Sequence, residues 1–289
     1  MAPPDAALTP DSWLANGIVF IVGACIGSFL NVVIARLPAG QSVVRPRSHC
    51  ACGQPIAWRD NIPLLSWFLL LGRARCCGRP IPVRYPVVEW LTAGLFLACW
   101  LVLPPAVAAC GWVFLSALVA ASFIDGEHLM IPDVLTVGLG VTGFVLSVLV
   151  PALHGQQGGS FLLDSLRSGG GAVLGLLVGS GLVFWIAMLA DLTLGKDAMG
   201  FGDVKFVGAI GAFCGWQGAV FSVFAGAFLG TAWLGLAFAW KSLLRRGAGP
   251  VGFGSRIPFG PMLAAAGALY FLFLGDAVGA WFEKVSVLF

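Results

Sequence analysis

Two aspartates are the residues of this chain that we expect to do chemistry, because each lies at the end of a long apolar stretch. Asp125 directly follows Ile124, and Asp203 lies in the string Gly-Phe-Gly-Asp-Val-Lys at 200–205. A pair of carboxyl groups can hydrolyse a peptide bond with water. One carboxylate takes a proton from the water, and the other group, protonated, polarises the carbonyl oxygen. We therefore predict that Asp125 and Asp203 are catalytic.

The glycines beside Asp203 fit this chemistry. Gly200 and Gly202 would let the backbone and an extended substrate approach each other closely. An acid at a helix end is also commonly solvated or capping, and a helix N-terminus would favour Asp203 for that reason alone. A Gly-x-Gly-Asp string is a weak motif by itself, so the prediction depends on both acids meeting at one face.

The composition indicates which elements must position the two acids, namely helices in a membrane. The chain has 289 residues, of which 59% are hydrophobic and 10% are charged, whereas soluble domains carry about 25% charged residues. Lipid must therefore be the solvent for most of the surface. We predict an all-α polytopic membrane protein. Nucleic-acid binding has no support, because the sequence has no basic stripe with interleaved aromatics.

Apolar runs predict about eight transmembrane helices. Residues 1–16 contain no Lys or Arg, which does not fit a cleavable signal peptide, so the first run is interpreted as a span. The boundary between the sixth and seventh spans, near 215–218, is the least defined. The predicted spans are 17–35, 86–103, 106–124, 134–152, 170–190, 204–218, 219–240 and 258–282.

The placement of Lys and Arg predicts the orientation of these spans. With the N-terminus outside, 14 of the 16 basic residues fall on the cytoplasmic side and only Arg167 and Lys284 fall outside, which is a strong positive-inside asymmetry. This topology puts Asp125 and Asp203 at the same cytoplasmic face. The cytoplasmic basic residues are Arg36, Arg45, Arg47, Arg59, Arg73, Arg75, Arg79, Arg84, Lys196, Lys205, Lys241, Arg245, Arg246 and Arg256.

A polar segment at 37–85 interrupts the membrane pattern. It contains Cys50, Cys52, Cys76 and Cys77, and about fifty residues cannot build a large core without a staple. A reducing compartment disfavours disulfides and favours a metal site. We therefore predict three parts: a periplasmic N-terminus with the first span (1–36), a small cytoplasmic Cys-containing loop domain (37–85) and a seven-helix membrane domain (86–289).

Six ordered strings give the chain a resemblance to a known family. They are GSFLNVVIARLP at 27–38, DNIPLLSW at 60–67, IPVRYPVVE at 81–89, the stretch from Ile124-Asp125 to Ile-Pro-Asp at 131–133, MGFGDVK at 199–205 and IPFGP at 257–261. Together they resemble the prepilin peptidases, polytopic aspartic peptidases that process type IV prepilins and type II secretion pseudopilins. The catalytic aspartates of that family correspond to Asp125 and Asp203.

The resemblance implies an activity and a location. It implies a bacterial inner-membrane enzyme that cleaves after a glycine, between a short basic leader and a hydrophobic helix, at the cytoplasmic face. Many members then N-methylate the new N-terminal residue with S-adenosylmethionine. Asp133 and Lys205 lie in the matching strings and are expected to support the site by hydrogen bonding or charge balance, unless they are ordinary solvated loop residues. No catalytic role is assigned to Asp197.

The resemblance also implies a metal site in 37–85, although the cysteine spacing of this chain departs from the family pattern. Family members commonly carry two Cys-x-x-Cys pairs, which suit tetrahedral zinc. Here the pairs are Cys50-Ala51-Cys52 and the adjacent Cys76-Cys77, so the ligands would be these four cysteines, or His49 in place of Cys50. The alternative is a set of free thiols. Zinc would be structural, because a closed four-ligand site has no open position for water. Glu89 and Gly94 lie in the region linked to methylation, without assigned roles.

Two other functions compete with this reading of the sequence. A transporter or channel would carry acids near the middle of several spans, whereas here the acids lie at span ends. A peptidase without methylation is the second alternative, since the altered cysteine spacing puts the loop in doubt. Serine or cysteine catalysis fits poorly, because His49, His128 and His154 have no evident nucleophile beside them.

Overall fold

The computed structural model describes residues 10, 12–195, 200–244 and 258–286. Within these residues the secondary structure is helical apart from two isolated β-bridges, His49 with Pro55 and Arg73 with Pro80. The all-α prediction is therefore confirmed. The helices are α1 (Trp13–Arg36), α2 (Leu65–Leu69), α3 (Arg84–Val102), α4 (Pro105–His128), α5 (Asp133–Leu149), α6 (Phe161–Leu194), α7 (Phe201–Leu244), α8 (Gly260–Leu269) and α9 (Gly275–Ser286).

Six helical stretches among the described residues are long and apolar enough to cross a membrane. They lie in α1, α3, α4, α6, α7 and the continuous run from α8 through a π-helical turn (Tyr270–Leu274) into α9, and the shorter apolar α5 adds a seventh. The chain is thus a multi-pass membrane protein. The count of eight stays a prediction, because the predicted spans 204–218 and 219–240 both lie in α7. The basic residues Lys196, Arg245, Arg246 and Arg256, and Asp197, lie outside the described residues.

The chain divides into two compact units, Met1–Ala120 and Ala121–Phe289. The first, unit 1, contains α1 to α3, most of α4 and the cysteine-containing segment. The second, unit 2, contains the end of α4, α5 to α9 and both aspartates. The predicted division at residues 36 and 85 stays a prediction.

Glycines set the helix packing inside unit 1. A Cβ atom at Gly27 of α1 would lie 2.7 Å from the Cα of Glu89 on α3, and one at Gly23 would lie 2.8 Å from the Cα of Ala93. Only glycine permits this close approach of two helices, which is a common way of packing helices in lipid. α3 and α4 are joined by Trp112, whose Nε1 donates to the Phe96 carbonyl at 3.0 Å.

In unit 2, α7 packs against α5, α6 and α8. The crossing with α6 is again made of glycines: a Cβ at Gly179 would lie 2.8 Å from the Val207 carbonyl oxygen, and one at Gly211 would collide with the backbone of Gly175. Because the backbones touch, the register of α7 against α6 is fixed without any interlocking of large side chains. The N-terminal part of α7, which carries Asp203, is positioned in this way.

A break inside α7 lies at Gly215, close to the predicted boundary between the sixth and seventh spans. Gly215 has φ 70° and ψ 178°, a backbone conformation that is essentially restricted to glycine. The Ala212 carbonyl would accept from residue 216 in an unbroken helix. Instead, His154 Nε2 lies 3.2 Å from this oxygen and 3.0 Å from Ser147 Oγ. Because a carbonyl only accepts, Nε2 carries the hydrogen that His154 donates.

Candidate active site and metal centre

Asp125 lies in the last turn of α4 and is 6% exposed. Its Oδ2 accepts from the backbone N–H of Gly260 at 2.9 Å. Gly260 is the first residue of α8, where N–H groups have no partner within the helix. A carboxylate at a helix N-terminus is held by both the hydrogen bond and the helix dipole. The orientation of the Asp125 carboxyl group is therefore set by α8.

Asp203 lies in the first turn of α7, and its backbone N–H donates to the Gly200 carbonyl at 3.1 Å. Its carboxyl group interacts electrostatically with that of Asp125. The two predicted catalytic residues are thus brought together within unit 2, although 78 positions separate them in the sequence. Two carboxyl groups that interact in this way do not both ionise easily, so the pair can share one proton.

The predicted supporting glycines lie beside Asp203. A Cβ on Gly200 would be 3.8 Å from Asp203 Oδ2, and one on Gly202 would be 3.7 Å from the backbone nitrogen of Ile131. Gly202 thus packs against the connection between α4 and α5. Neither glycine has a φ in the left-handed region, so their contribution is the space that a missing side chain leaves.

Lys205 and Asp133 form an ion pair, with Nζ 2.7 Å from Oδ1. Asp133 is the first residue of α5, and its side chain is 69% exposed. Lys205 also lies over the Phe201 ring at 5.4 Å. These contacts connect the first turns of α5 and α7. A supporting role for Asp133 and Lys205 in catalysis stays a prediction.

Gly260 is the residue of this site that the sequence did not single out. A Cβ there would lie 2.8 Å from Asp125 Oδ2 and 3.1 Å from Asp125 Cγ, so any side chain at this position would push the carboxyl group away. A signal was present in the Phe-Gly-Pro string at 259–261, because proline is common in the first turn of a helix. The string predicts a helix start but does not identify the acid that the helix binds.

The four cysteines of the loop domain come together in unit 1. Cys50 Sγ lies 3.5 Å from Cys77 Sγ, and Cys52 Sγ lies 3.4 Å from Cys76 Sγ. All four sulfurs lie within 4.8 Å of one another. Tetrahedral zinc with Zn–S bonds of about 2.3 Å separates its sulfurs by about 3.8 Å. The cluster has the size and the ligand chemistry for a zinc ion.

Two tight turns present these cysteines. In the first, the Cys50 N–H donates to the Gln54 carbonyl, and in the second the Ala74 N–H donates to the Arg79 carbonyl, both at 2.8 Å. The second turn lets the adjacent Cys76 and Cys77 both face the first turn. His49, the alternative ligand, is not part of the cluster, and its Nδ1 lies 3.2 Å from the Arg47 carbonyl oxygen.

Hydrogen bonds within the cluster favour one thiolate. The backbone N–H of Cys52, followed by the thiols of Cys76 and Cys77, lowers the pKa of the Cys50 thiol to about 7. The pKa of the Cys76 thiol is raised to about 12, because its proton is engaged by Cys50 and Cys52. A metal ion binds thiolates and displaces such protons.

Glu89 has a defined structural position in unit 1. It is 6% exposed, and its Oε2 accepts from the Leu64 N–H at 2.7 Å. Leu64 has φ 64° and ψ −57°, and the Leu65 N–H donates to the Pro63 carbonyl at 2.6 Å. This is a γ-turn of the positive-φ type, which is rare and strained. Glu89 therefore ties a strained turn of the loop domain to α3.

The fold and these sites define a multi-pass, all-α membrane protein with a carboxyl pair at helix ends and a separate cysteine cluster. Two family models match it: the bacterial peptidase A24 N-terminal domain over residues 21–103, and the type IV leader peptidase family over 112–236. The chain belongs to the type IV leader peptidase family, which confirms the resemblance drawn from the sequence.

Curated relatives cover most of the chain. A protein of Aeromonas hydrophila named prepilin leader peptidase/N-methyltransferase is 37% identical, with 93% of this chain and 94% of the relative aligned. One of the same name from Klebsiella pneumoniae is 38% identical over 75% of this chain and 92% of the relative. A type 4 prepilin-like proteins leader peptide-processing enzyme of Escherichia coli O78:H11 is 42% identical over 67% and 74%. No solved structure matches the chain.

Proposed function

We propose that this protein removes leader peptides from type IV prepilins or type II secretion pseudopilins and N-methylates the new N-terminal residue. Its family membership and the names of relatives that align over nearly its whole length support both activities. The observation that carries the peptidase mechanism is the pairing of Asp125 with Asp203 in unit 2.

The two aspartates act together in hydrolysis. The ionised carboxyl group removes a proton from water, and the resulting hydroxide adds to the scissile carbonyl carbon while the protonated carboxyl group donates to the carbonyl oxygen. The tetrahedral intermediate collapses when the C–N bond breaks and the leaving nitrogen receives a proton from the pair. Gly260 keeps the Asp125 carboxyl group oriented throughout. The small residues Gly200 and Gly202 leave room for an extended substrate.

The active site lies at the cytoplasmic face of the bacterial inner membrane in this proposal. Asp125 is in the last turn of one candidate span and Asp203 is in the first turn of another. The positive-inside distribution of Lys and Arg supports the cytoplasmic assignment of those ends. A prepilin whose leader is basic and cytoplasmic would present its cleavage site there.

Methylation belongs to unit 1 in this proposal. S-adenosylmethionine supplies an electrophilic methyl group when it is bound. Cys50, Cys52, Cys76 and Cys77 would hold a structural zinc ion and thereby fix the loop around Glu89 and the strained turn at Leu64. The zinc would have no role in cleavage, because four cysteine ligands leave no open position for water.

Cleavage and methylation can be tested in one reaction. The purified protein in detergent or lipid is incubated with a prepilin and S-adenosylmethionine, and the N-terminus of the product is analysed by mass spectrometry. Wild type should remove the leader and add one methyl group. Asp125→Asn and Asp203→Asn should each lower the cleavage rate by about 10²–10⁴-fold, because an amide neither takes a proton from water nor donates one as an acid.

The matched control is Asp276→Asn, which makes the same change at an exposed acid of α9 and should cleave as wild type does. Cleavage at the wild-type rate in both active-site variants would refute the aspartyl mechanism. Leader removal without methylation by wild type would leave a peptidase alone. Folded wild type that does not cleave any prepilin would refute the peptidase function itself.

A further inference from the structure

Unit 1 contains a cavity beside the last part of α1. The cavity has a volume of about 550 Å³, within the range of about 300–1,000 Å³ that is typical of small-molecule sites. The last part of α1 forms one wall, and the loop domain forms the other. The lining includes polar side chains and apolar ones in similar measure, as a site for an amphipathic small molecule requires.

Asn31 of α1 is the buried polar residue of this cavity wall. It is 1% exposed, and its Nδ2 lies 3.1 Å from the Tyr85 carbonyl oxygen and 3.4 Å from the Gly27 carbonyl oxygen. Two acceptors around one end of the amide identify that end as the NH₂ group. The Oδ1 atom therefore lies at the other end, where it has no hydrogen-bond partner among the described residues.

A buried acceptor without a partner is costly and calls for an explanation. A ligand N–H or O–H group donating to Asn31 Oδ1 would supply the missing partner. The cavity contains the other features of a site as well. Arg36 lines it with a cation, and Phe29, Val32 and Ile56 line it with apolar surface.

The wall opposite α1 is braced by an unusual contact. Pro63, a lining residue, belongs to the strained turn at Leu64 that Glu89 holds from α3. Glu89 is also hydrogen bonded to the side chain of Ser28, another lining residue. The carboxylate of Glu89 therefore fixes both walls of the same cavity, which is the arrangement expected where a ligand is clamped.

We propose that this cavity is the binding site for S-adenosylmethionine, with Asn31 Oδ1 as a hydrogen-bond acceptor for the ligand. The inference rests on the methyltransferase activity proposed above. The ligand offers a carboxylate for Arg36, several N–H and O–H donors for Asn31, and an adenine ring for the apolar residues. Asn31 is a binding residue in this assignment, and Glu89 is a positioning residue that acts through Ser28 and Leu64.

Direct binding tests the assignment without relying on turnover. Full-length protein in detergent is titrated with radiolabelled S-adenosylmethionine by equilibrium dialysis, and the ligand is also photo-crosslinked and mapped by mass spectrometry. Asn31→Leu, which removes the acceptor, should weaken binding by about tenfold or more. The matched control is Asn16→Leu. Asn16 lies in the same helix and also has an unpartnered Oδ1, but it does not line the cavity.

A second variant covers the loss of the Asn31 contact to Tyr85, which could affect folding. Gln41 is exposed and lines the cavity, so Gln41→Trp should fill it from the loop side and block binding. Gln54→Trp places the same side chain on the same loop, at an exposed position outside the cavity lining, and should bind as wild type does. Crosslinks should map to 25–36 or 48–63.

The outcomes separate the two proposals. Wild-type affinity in both Asn31→Leu and Gln41→Trp, or crosslinks confined to other segments, would overturn the cavity assignment and leave methylation intact. Wild type that cleaves prepilins but does not bind S-adenosylmethionine would refute the methyltransferase function, and the cavity assignment with it. Loss of binding in the two cavity variants alone would establish the site.

Discussion

The two units build their sites in different ways. In unit 2, the carboxyl groups lie at the ends of two long helices. Glycine crossings with α6 fix the register of α7, and the first N–H of α8 holds the Asp125 carboxyl group. In unit 1, the cavity and the cysteine cluster depend on a loop with little regular structure. That loop is fixed by specific ties, such as the Glu89 carboxylate on a strained turn and four clustered sulfurs. Helix packing positions the site residues of unit 2, whereas the loop of unit 1 needs individual contacts to hold its site residues in place.

The sharpest test of this separation is Asp203→Asn. Cleavage should fall by about 10²–10⁴-fold, the usual contribution of an acid–base group, because one member of the proton-sharing pair is lost. Binding of S-adenosylmethionine, measured by dialysis on the same preparation, should stay at the wild-type level. A parallel loss of both activities would show that the units do not work independently.

Gly260→Ala should have the next largest effect. The new Cβ would lie 2.8 Å from Asp125 Oδ2, so the carboxyl group must move, and misplacement by about 1 Å can cost about 10²-fold in rate. The loss is measured as the steady-state rate of prepilin cleavage. Gly181→Ala in α6 is the control, since a Cβ there meets open space and should leave the rate unchanged. A fully active Gly260→Ala would contradict the role of the α8 amide.

Removing the metal should affect unit 1 more than unit 2. We expect about one zinc per chain by elemental analysis, and we expect Cys76→Ser or a strong chelator to remove it because four ligands are needed for a closed site. Methylation should then fall by about tenfold or more, whereas cleavage should change much less. Zinc added back should restore methylation after chelation but not in Cys76→Ser. An equal loss of both activities would contradict the comparison.

The smallest expected effect concerns pH and His154. Burial lowers the pKa of His154, while in the unfolded chain the pKa of histidine is about 6.5. The unfolded state therefore binds more protons as the pH falls below about 6.5, and this contribution to stability is complete above that pH and is lost on acidification. The Tm of wild type should drop by a few degrees more than that of His154→Gln between about pH 7 and about pH 5. Identical pH profiles would refute this assignment.

The sequence was sufficient for some features and not for others. Apolar runs and the distribution of Lys and Arg predicted that Asp125 and Asp203 lie at helix ends near each other, because helix ends follow from local composition. The hydrogen bond from Gly260 could not be predicted, because it joins residues 135 positions apart and depends on tertiary packing. The adjacent Cys76 and Cys77 depart from the Cys-x-x-Cys spacing, yet a tight turn brings both into the cluster.

The two spans predicted between 204 and 240 illustrate the same limit. The sequence predicted a boundary near 215–218 but not its nature, which is a break at Gly215 inside one long helix. Glu89 is similar, because the sequence did not predict its burial or its hydrogen bond to a strained loop turn. The local sequence pattern predicts secondary-structure elements, whereas contacts between distant segments can be identified only from the folded structure.

The break at Gly215 has a consequence for how the protein is made. The stretch 201–214 is about 21 Å long as a helix, at about 1.5 Å per residue, and a bilayer core is about 30 Å thick. This stretch is too short to be inserted stably by itself during synthesis. Its neighbours α5 and α6 precede it in the chain, so they are already in the membrane when it emerges from the ribosome. Asp203, at the start of this stretch, thus joins helices that are already in the membrane, and the order of elements along the chain is also an order of assembly.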